Sequence, residues 1–113
     1  MSDADERAGR GAALMDERCP GWLDGIDLTR LDIASSRWCI AGQQEGGYPG
    51  VMRDLGLIRS ADSAARGFEA YPPDPRLSVR EASMAIDAEH KALTGAWRNL
   101  ILARRAEMAT VAA

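Results

Sequence analysis

The sequence has little of what metal centres and reaction sites are usually built from. It contains two cysteines, Cys19 and Cys39, and a single histidine, His90. Two thiols cannot supply the four ligands of a structural zinc site, and in a reducing compartment they are expected to stay free. No G-x-x-x-x-G-K-[ST] phosphate loop is present. The residues therefore indicate no metal and no cofactor, and no motif names a reaction.

Long apolar runs and a basic excess are also missing. The longest uncharged apolar stretches are far shorter than the ~20 residues that cross a bilayer, so we expect no membrane segment. The first residues, MSDADERAGRGAA, lack the basic start and apolar core of a signal peptide, which favours a cytoplasmic location. A net charge of -3 argues against broad nucleic-acid binding, although a local arginine patch stays open as an alternative.

The residues that are present indicate an all-α fold. With 113 residues, 46% of them hydrophobic, the chain has room for one small domain. We predict several short helices packed on one long C-terminal helix. Residues 1–12 show no apolar periodicity and are predicted to be a disordered tail. Residues 13–108 then form the single helical domain, and residues 109–113 form a second disordered tail.

The C-terminal helix has the strongest local pattern. Ser78 and Glu81 match the S-x-x-E capping box, and apolar residues recur from there at intervals of three and four. A helix over residues 78–105 would be roughly 42 Å long, whereas a compact chain of this size has a diameter near 35 Å. Either the helix breaks at Gly95, or its end projects and needs a partner.

Shorter helices are predicted from their end signals. One is expected after the capping residues Asp32, Ser35 and Ser36, a second from Pro49 to Gly56, and a third from the N-cap Ser60 to Gly67–Phe68. The prolines of residues 71–75 predict an extended connector before the last helix.

Two side chains are weighed as catalytic candidates. His90 falls on the apolar stripe of the last helix without an obvious polar partner, so it is interpreted as a packed histidine rather than a general base. Cys39 stands beside Trp38 and Ile40, which favours a core thiol over a nucleophile. A small cysteine- or histidine-dependent enzyme is therefore the least favoured hypothesis.

Two other groups of residues are candidates for binding. The candidate interaction residues are Trp22 and Trp38, for which core packing is the favoured interpretation, together with Leu102 and Met108 near the end of the last helix. The alternative nucleic-acid or nucleotide patch consists of Arg53, Arg59 and Arg66. A helix-turn-helix is a less favoured interpretation of that region, because its second helix, residues 61–66, would have barely two turns to fill a major groove.

Three runs, WLDGIDLTRLDIASSRWCIAGQ, GLIRSADSAARGFEA and ALTGAWRNLI, together resemble a group of small uncharacterised proteins of actinobacterial bacteriophages. The resemblance covers Trp22 to about Ile101. It rests on Trp22, Ile26, Leu31–Asp32, Cys39, Gly42–Gln43, Gly67–Phe68, Leu93–Thr94 and Trp97. In that group a second cysteine often stands two residues before the one that matches Cys39. Here that position is Arg37, which argues against a paired-thiol metal or redox role.

The resemblance implies an early, non-structural phage product in the cytoplasm of an infected bacterium. Small phage proteins of this kind often bind a host protein and block or redirect it, an inference by association. Our leading hypothesis is therefore a non-catalytic phage protein that modulates a host protein in host takeover or counter-defence. A homodimer through the C-terminal helix is a further hypothesis about its partners, and nucleic acid is a less favoured one.

Overall fold

The C-terminal helix dominates this computed structural model, which describes residues 2–112. Helix α4 runs from Val79 to Ala112 without interruption at Gly95. At its start, Ser78 N–H donates to Glu81 Oε1 and Glu81 N–H donates to Ser78 Oγ, both at 3.1 Å. The predicted capping box is confirmed. The predicted tail at residues 109–113 is wrong as far as Ala112, which is still helical, and Ala113 lies outside the described residues.

Three further helices precede α4, and residues 2–112 contain no strand, so the all-α prediction is confirmed. Helix α1 spans Asp3–Arg18, helix α2 spans Gly47–Asp54 and helix α3 spans Ser60–Ala65. The predicted disordered tail at residues 1–12 is therefore wrong from Asp3 onward. In α1, Ala8, Ala12 and Met15 are completely buried against the core.

The stripe of α1 is difficult to recognise in the sequence because its members are small. A Cβ atom on Gly11 would clash with the carbonyl oxygen of Arg66 and would lie 2.7 Å from Cζ2 of Trp97. The backbone of α1 therefore packs directly on α4 and on the end of α3. A capping box of Ser2 and Asp5 starts the helix, and it uses aspartate where the usual pattern has glutamate.

The two short helices end as their glycines predict. Gly56 has a φ of 73°, and Leu57 N–H donates to Met52 O at 2.9 Å. Gly67 has a φ of 74°, and Phe68 N–H donates to Ser63 O at 3.0 Å. Both ends are thus Schellman caps with a buried residue after the glycine. Helix starts differ slightly from the prediction, because α2 begins two residues before Pro49 and Arg59 occupies the N-cap position of α3.

The predicted helix after Asp32 and Ser35 does not form. Residues 19–46 contain turns, with isolated helical hydrogen bonds such as Cys39 N–H to Ser35 O at 2.9 Å. Side chains hold this segment, since Asp32 Oδ1 accepts from Ala34 N–H and Ser35 Oγ accepts from Trp38 N–H. Such local bonds compete with helical ones, so the capping residues here stabilise turns.

Helix α4 runs through the core and contacts the other parts of the globule. The Trp97 ring lies edge-on to Trp22 at 5.9 Å between centroids and beside Phe68 at 5.5 Å, and its indole N–H donates to Gly67 O at 2.7 Å. Further along, Thr94 and Arg105 bind backbone groups of the loop between α1 and α2. Among the described helices, none has the length and apolar character that a membrane crossing requires.

Candidate functional site

The apolar stripe of α4 extends past the body of the protein at its C-terminal end. Trp97 and Ile101 on this stripe are completely buried, whereas Met108 is 51% exposed and Val111 is 87% exposed. The longest dimension of the protein is 52 Å, which matches the ~51 Å length of a 34-residue helix. The last turns of α4 therefore carry core-type residues that no element within residues 2–112 covers.

A groove of about 690 Å³ lies beside these turns, and we call it the C-terminal groove. Its residues come from the end of α1, the loop after α1 and α4, namely Asp16, Pro20, Gly21, Trp22, Leu23, Asp24, Arg104, Glu107 and Met108. The Arg104 side chain on α4 is bound to α1, because its Nη1 donates to both carboxylate oxygens of Asp16 at 2.7 and 2.8 Å. The Trp22 indole N–H donates to the same carboxylate at 2.9 Å.

These hydrogen bonds determine the charge of the groove floor. Partial burial raises the pKa of Asp16, but the hydrogen bonds from Arg104 and Trp22 and the charge of Arg104 outweigh it, so the pKa is lowered overall. Asp16 is thus a carboxylate that Arg104 neutralises. On the rim, Asp24 and Glu107 are exposed and make no ion pair within residues 2–112. The groove combines a floor that holds this neutralised ion pair beside Leu23 and Met108 with an acidic rim.

The four predicted interaction residues do not form one surface. Trp22 is only 3% exposed and belongs to the core, so its side chain is not available as an anchor. Leu102 is 51% exposed, but six residues of helix place it about 120° around the axis from Met108. Trp38 does not line the C-terminal groove. Instead, the guanidinium groups of Arg30 and Arg37 lie 4.8 and 4.9 Å from its ring centroid.

The predicted arginine patch is spread over two short helices. Arg53 on α2 and Arg59 before α3 are exposed, and Arg66 after α3 is partly buried. Asp54 and Asp62 are exposed next to them and reduce the local positive charge. Since α3 has only six residues, it is too short to act as a recognition helix.

Cys39 and His90 are far apart in the sequence, but both line one cavity of about 220 Å³ that we call the inner lobe. Tyr48 and Glu69 line it as well, and the Tyr48 hydroxyl donates a short hydrogen bond to Glu69 Oε2. Burial and this hydrogen bond raise the pKa of Tyr48, and burial raises the pKa of the Cys39 thiol. Both groups are therefore protonated at neutral pH, and Cys39 lacks the thiolate of a nucleophile.

A second cavity of about 630 Å³, which we call the outer lobe, shares His90 and Ala34 with the inner lobe. Its cationic residues are Arg30, Lys91 and Arg98, and its acidic residues are Asp32 and Asp87. We call the two lobes together the His90 groove. Sequence reasoning missed this groove, because its residues come from four separate segments with no shared motif. The only available signal was His90 on the α4 stripe.

Comparison with known proteins adds no further assignment. No protein-family model, no curated protein and no solved structure matches this chain. Within the described residues, no three side chains of histidine, cysteine, aspartate or glutamate cluster as metal ligands would.

Proposed function

We propose that this chain is a non-catalytic binding module that engages a host protein through the C-terminal groove. The observation that carries the proposal is the exposure of Met108 and Val111 on a stripe whose preceding members are buried. Contiguous exposed apolar surface on a small protein marks an interaction site more often than scattered apolar residues do. In line with the phage resemblance, the partner would be a bacterial protein whose activity is blocked or redirected.

The groove also suggests the chemistry of its partner. Met108 and Leu23 offer apolar contacts, while Asp24 and Glu107 add negative charge at the rim. A helix or loop with one apolar anchor flanked by Lys or Arg would complement this surface. Opposite charges at the rim would mainly raise the association rate, and the apolar anchor would supply most of the affinity.

Photo-crosslinking tests the site and the function together. A benzophenone side chain is introduced at Met108 in one variant and at Met84 in another, since Met84 is a second exposed methionine on α4, 62% exposed, outside the C-terminal groove. After incubation in lysate of an actinobacterial host, we expect one host protein to be crosslinked from position 108 and not from position 84. A crosslinking pattern that is the same at both positions would contradict the proposal.

Binding of the purified partner then checks the contact. Met108→Glu should weaken binding at least about tenfold, because it places a charge in an apolar contact, whereas Met84→Glu should leave it unchanged. Glu107→Lys should slow association with a basic partner. If neither Met108→Glu nor Glu107→Lys changes partner binding, the partner does not bind in the C-terminal groove.

A second copy of the chain is the competing occupant. Light scattering at high concentration distinguishes it, because a dimeric mass that Met108→Glu converts to a monomeric one would assign the groove to self-association. That result would count against a host partner at this surface. Within this scheme the arginine patch of Arg53, Arg59 and Arg66 has no role, and loss of partner binding on Arg53→Ala would move the site there.

A further inference from the structure

The His90 groove has two ends with different chemistry, and neither end is used by the proposed protein-binding function. His90 on α4 lies between them and contributes to both cavities. The outer lobe is polar and cationic, while the inner lobe combines apolar walls with one carboxylate. Ligand sites of small molecules typically have volumes of about 300–1,000 Å³ and a few well-placed polar groups. The outer lobe lies in this range, and the smaller inner lobe adjoins it at Ala34 and His90.

Hydrogen-bond donors in the outer lobe are available to a ligand. Lys91 is exposed and has no ion-pair partner within residues 2–112. Arg98 uses one terminal nitrogen to donate to Leu28 O at 3.2 Å, which leaves other N–H groups of its guanidinium for a ligand. Thr94 Oγ1 accepts from Ile33 N–H at 3.0 Å, so its own hydrogen remains to be donated.

The third cation is Arg30, whose guanidinium stacks on the Trp38 ring. It lies 3.7 Å from the Asp27 carboxylate, a distance too long for a strong hydrogen bond. This contact with the ring helps to hold the guanidinium, whose planar fork suits phosphate oxygens.

Acidic residues limit how much negative charge the outer lobe can accept. Asp32 Oδ1 already accepts from the backbone N–H of Ala34 at 2.9 Å, and Asp87 is exposed at the rim. Three cations face these two carboxylates, and Asp27 also lies 3.7 Å from Arg30, so there is little excess positive charge. This balance fits one phosphate monoester better than a long polyanion, whose many phosphates require a broad basic surface.

The inner lobe presents an acceptor for a different part of the ligand. Glu69 receives the Tyr48 hydroxyl on Oε2, and its Oε1 has no hydrogen-bond donor within residues 2–112. Phe68 and Ile33 line this lobe but are only 2% and 5% exposed, so they close its apolar floor, and burial keeps the Cys39 thiol uncharged. The carboxylate of Glu69 can accept from an exocyclic amino group on a flat ring, as acidic side chains do with the amino group of cytosine.

We propose that the His90 groove binds a nucleoside monophosphate whose base carries an amino group. The base occupies the inner lobe with its amino group on Glu69, the phosphate lies between Lys91, Arg98 and Arg30, and His90 lines the path between them. Adenine, guanine and cytosine each carry an exocyclic amino group that can donate a hydrogen bond to Glu69. Uracil does not, because its single N–H donor on the pairing edge is flanked by carbonyl oxygens that a carboxylate repels.

The single histidine makes a direct test possible, since its ring gives one set of imidazole signals in a nuclear magnetic resonance spectrum. The full chain is titrated at constant pH with AMP, GMP, CMP and UMP, and with inorganic phosphate and ribose 5-phosphate. We expect a saturable shift of the His90 signals with the three amino-bearing nucleotides. UMP, ribose 5-phosphate and inorganic phosphate should each bind at least about tenfold more weakly, the ratio that one charge-assisted hydrogen bond supplies.

Variants locate the two ends of the ligand. Lys91→Ala removes an exposed cation that makes no ion pair among residues 2–112, and it should weaken the binding of AMP, GMP and CMP alike by about five- to tenfold. Glu69→Gln keeps an acceptor for Tyr48 and should reduce the discrimination against UMP to less than about threefold. Arg53→Ala and Arg59→Ala are matched controls, because they remove exposed arginines outside the groove, and neither should change binding.

Three results would overturn the proposal. The first is the absence of any saturable shift with nucleotides up to millimolar concentration. The second is equal affinity for inorganic phosphate and the amino-bearing nucleotides, which would indicate a simple anion site. The third is binding that Arg53→Ala weakens and Lys91→Ala does not, which would assign the nucleotide to the arginine patch. A thermal melt by circular dichroism confirms that each variant is folded.

Discussion

The guanidinium of Arg7 lies 2.7 Å from the carboxylate of Glu89, and the Arg7 side chain is only 2% exposed. The same guanidinium donates to Ala64 O at 2.7 Å and to Glu69 O at 3.0 Å, and it lies 4.2 Å from the ring centroid of Tyr71. Arg7 therefore joins α1 to the end of α3, to the connector before α4 and to α4 itself.

Replacing Arg7 with Met should destabilise the protein by about 2–3 kcal/mol. The substitution leaves the buried carbonyl oxygen of Ala64 without its donor and removes the cation from Glu89, whose side chain is 26% exposed. Partial exposure of Glu89 keeps the cost below that of a fully buried pair. Urea unfolding measures the effect. Arg10→Met is the matched control, because Arg10 is exposed and donates to one carbonyl, Ala65 O, so it should cost less than about 1 kcal/mol. Equal losses of unfolding free energy in the two variants would show that the contacts of Arg7 contribute no more than those of Arg10.

The ion pair between Asp16 and Arg104 should make stability depend on pH in acid. The pKa of Asp16 in the folded chain lies below its ordinary value of 3.8, so the contribution of the carboxylate is present above that value. It is lost as the pH falls through the lower, folded pKa. Asp16→Asn should therefore be less stable than the wild type at pH 7, and the difference should shrink below about pH 4.

Unfolding free energies measured from pH 7 to pH 2 test this dependence. Asparagine can still accept from the Trp22 indole N–H, so the substitution removes mainly the charge. Asp24→Asn is the control, since Asp24 is exposed without an ion pair among the described residues, and its profile should follow the wild type. A constant offset for Asp16→Asn over the whole range would contradict the charge argument.

Two glycines with the same backbone conformation should respond differently to alanine. Gly56 has open space at its Cβ position, whereas a Cβ on Gly67 would lie 3.0 Å from Ala8 N and 3.1 Å from the carbonyl carbon of Arg7. Gly56→Ala should cost only about 1–2 kcal/mol for the left-handed conformation. Gly67→Ala should cost about 1–3 kcal/mol more, because α1 has to move away. Thermal denaturation of the two variants side by side provides the comparison, and equal costs would mean that α1 does not approach α3 this closely.

The two thiols should differ in reactivity. Cys39 is 2% exposed and Cys19 is partly exposed, and burial raises the pKa of both. With Ellman's reagent at neutral pH, we expect Cys19 to react first and Cys39 to react only when the chain unfolds. The Cys39→Ser variant should keep the early reaction, and Cys19→Ser should lose it. An early reaction that survives in Cys19→Ser would show that the Cys39 thiol becomes exposed without global unfolding.

Some of the fold follows from short stretches of sequence. The start of α4 depends on Ser78 and Glu81, and the ends of α2 and α3 depend on Gly56 and Gly67, so residues three to five positions apart contain the necessary information. The same local reasoning failed at Ser35, because a serine oxygen that caps a helix can equally hold a turn. It also failed for α1, whose stripe of alanines and Gly11 has no strong hydrophobic signal.

The candidate sites were less predictable than the helices. Met108 was identified because it continues an apolar period, and Trp22 was ambiguous because an aromatic side chain suits both a core and an interface. The His90 groove was missed, since Glu69, Lys91 and Arg30 become neighbours only when separate segments fold together. Spacing along the chain contains no information about such contacts unless a motif links them.

The sequence by itself determined the start of α4 and the ends of α2 and α3, because those points depend on hydrogen bonds between near neighbours. The span of the apolar period also determined that α4 is longer than the diameter of a compact chain of this size. Only the tertiary structure decided that α1 packs on α4, that Arg7 is buried, and that Cys39 and His90 share a cavity. Those outcomes depend on contacts between distant residues, whose free energy is realised only when the whole chain has folded.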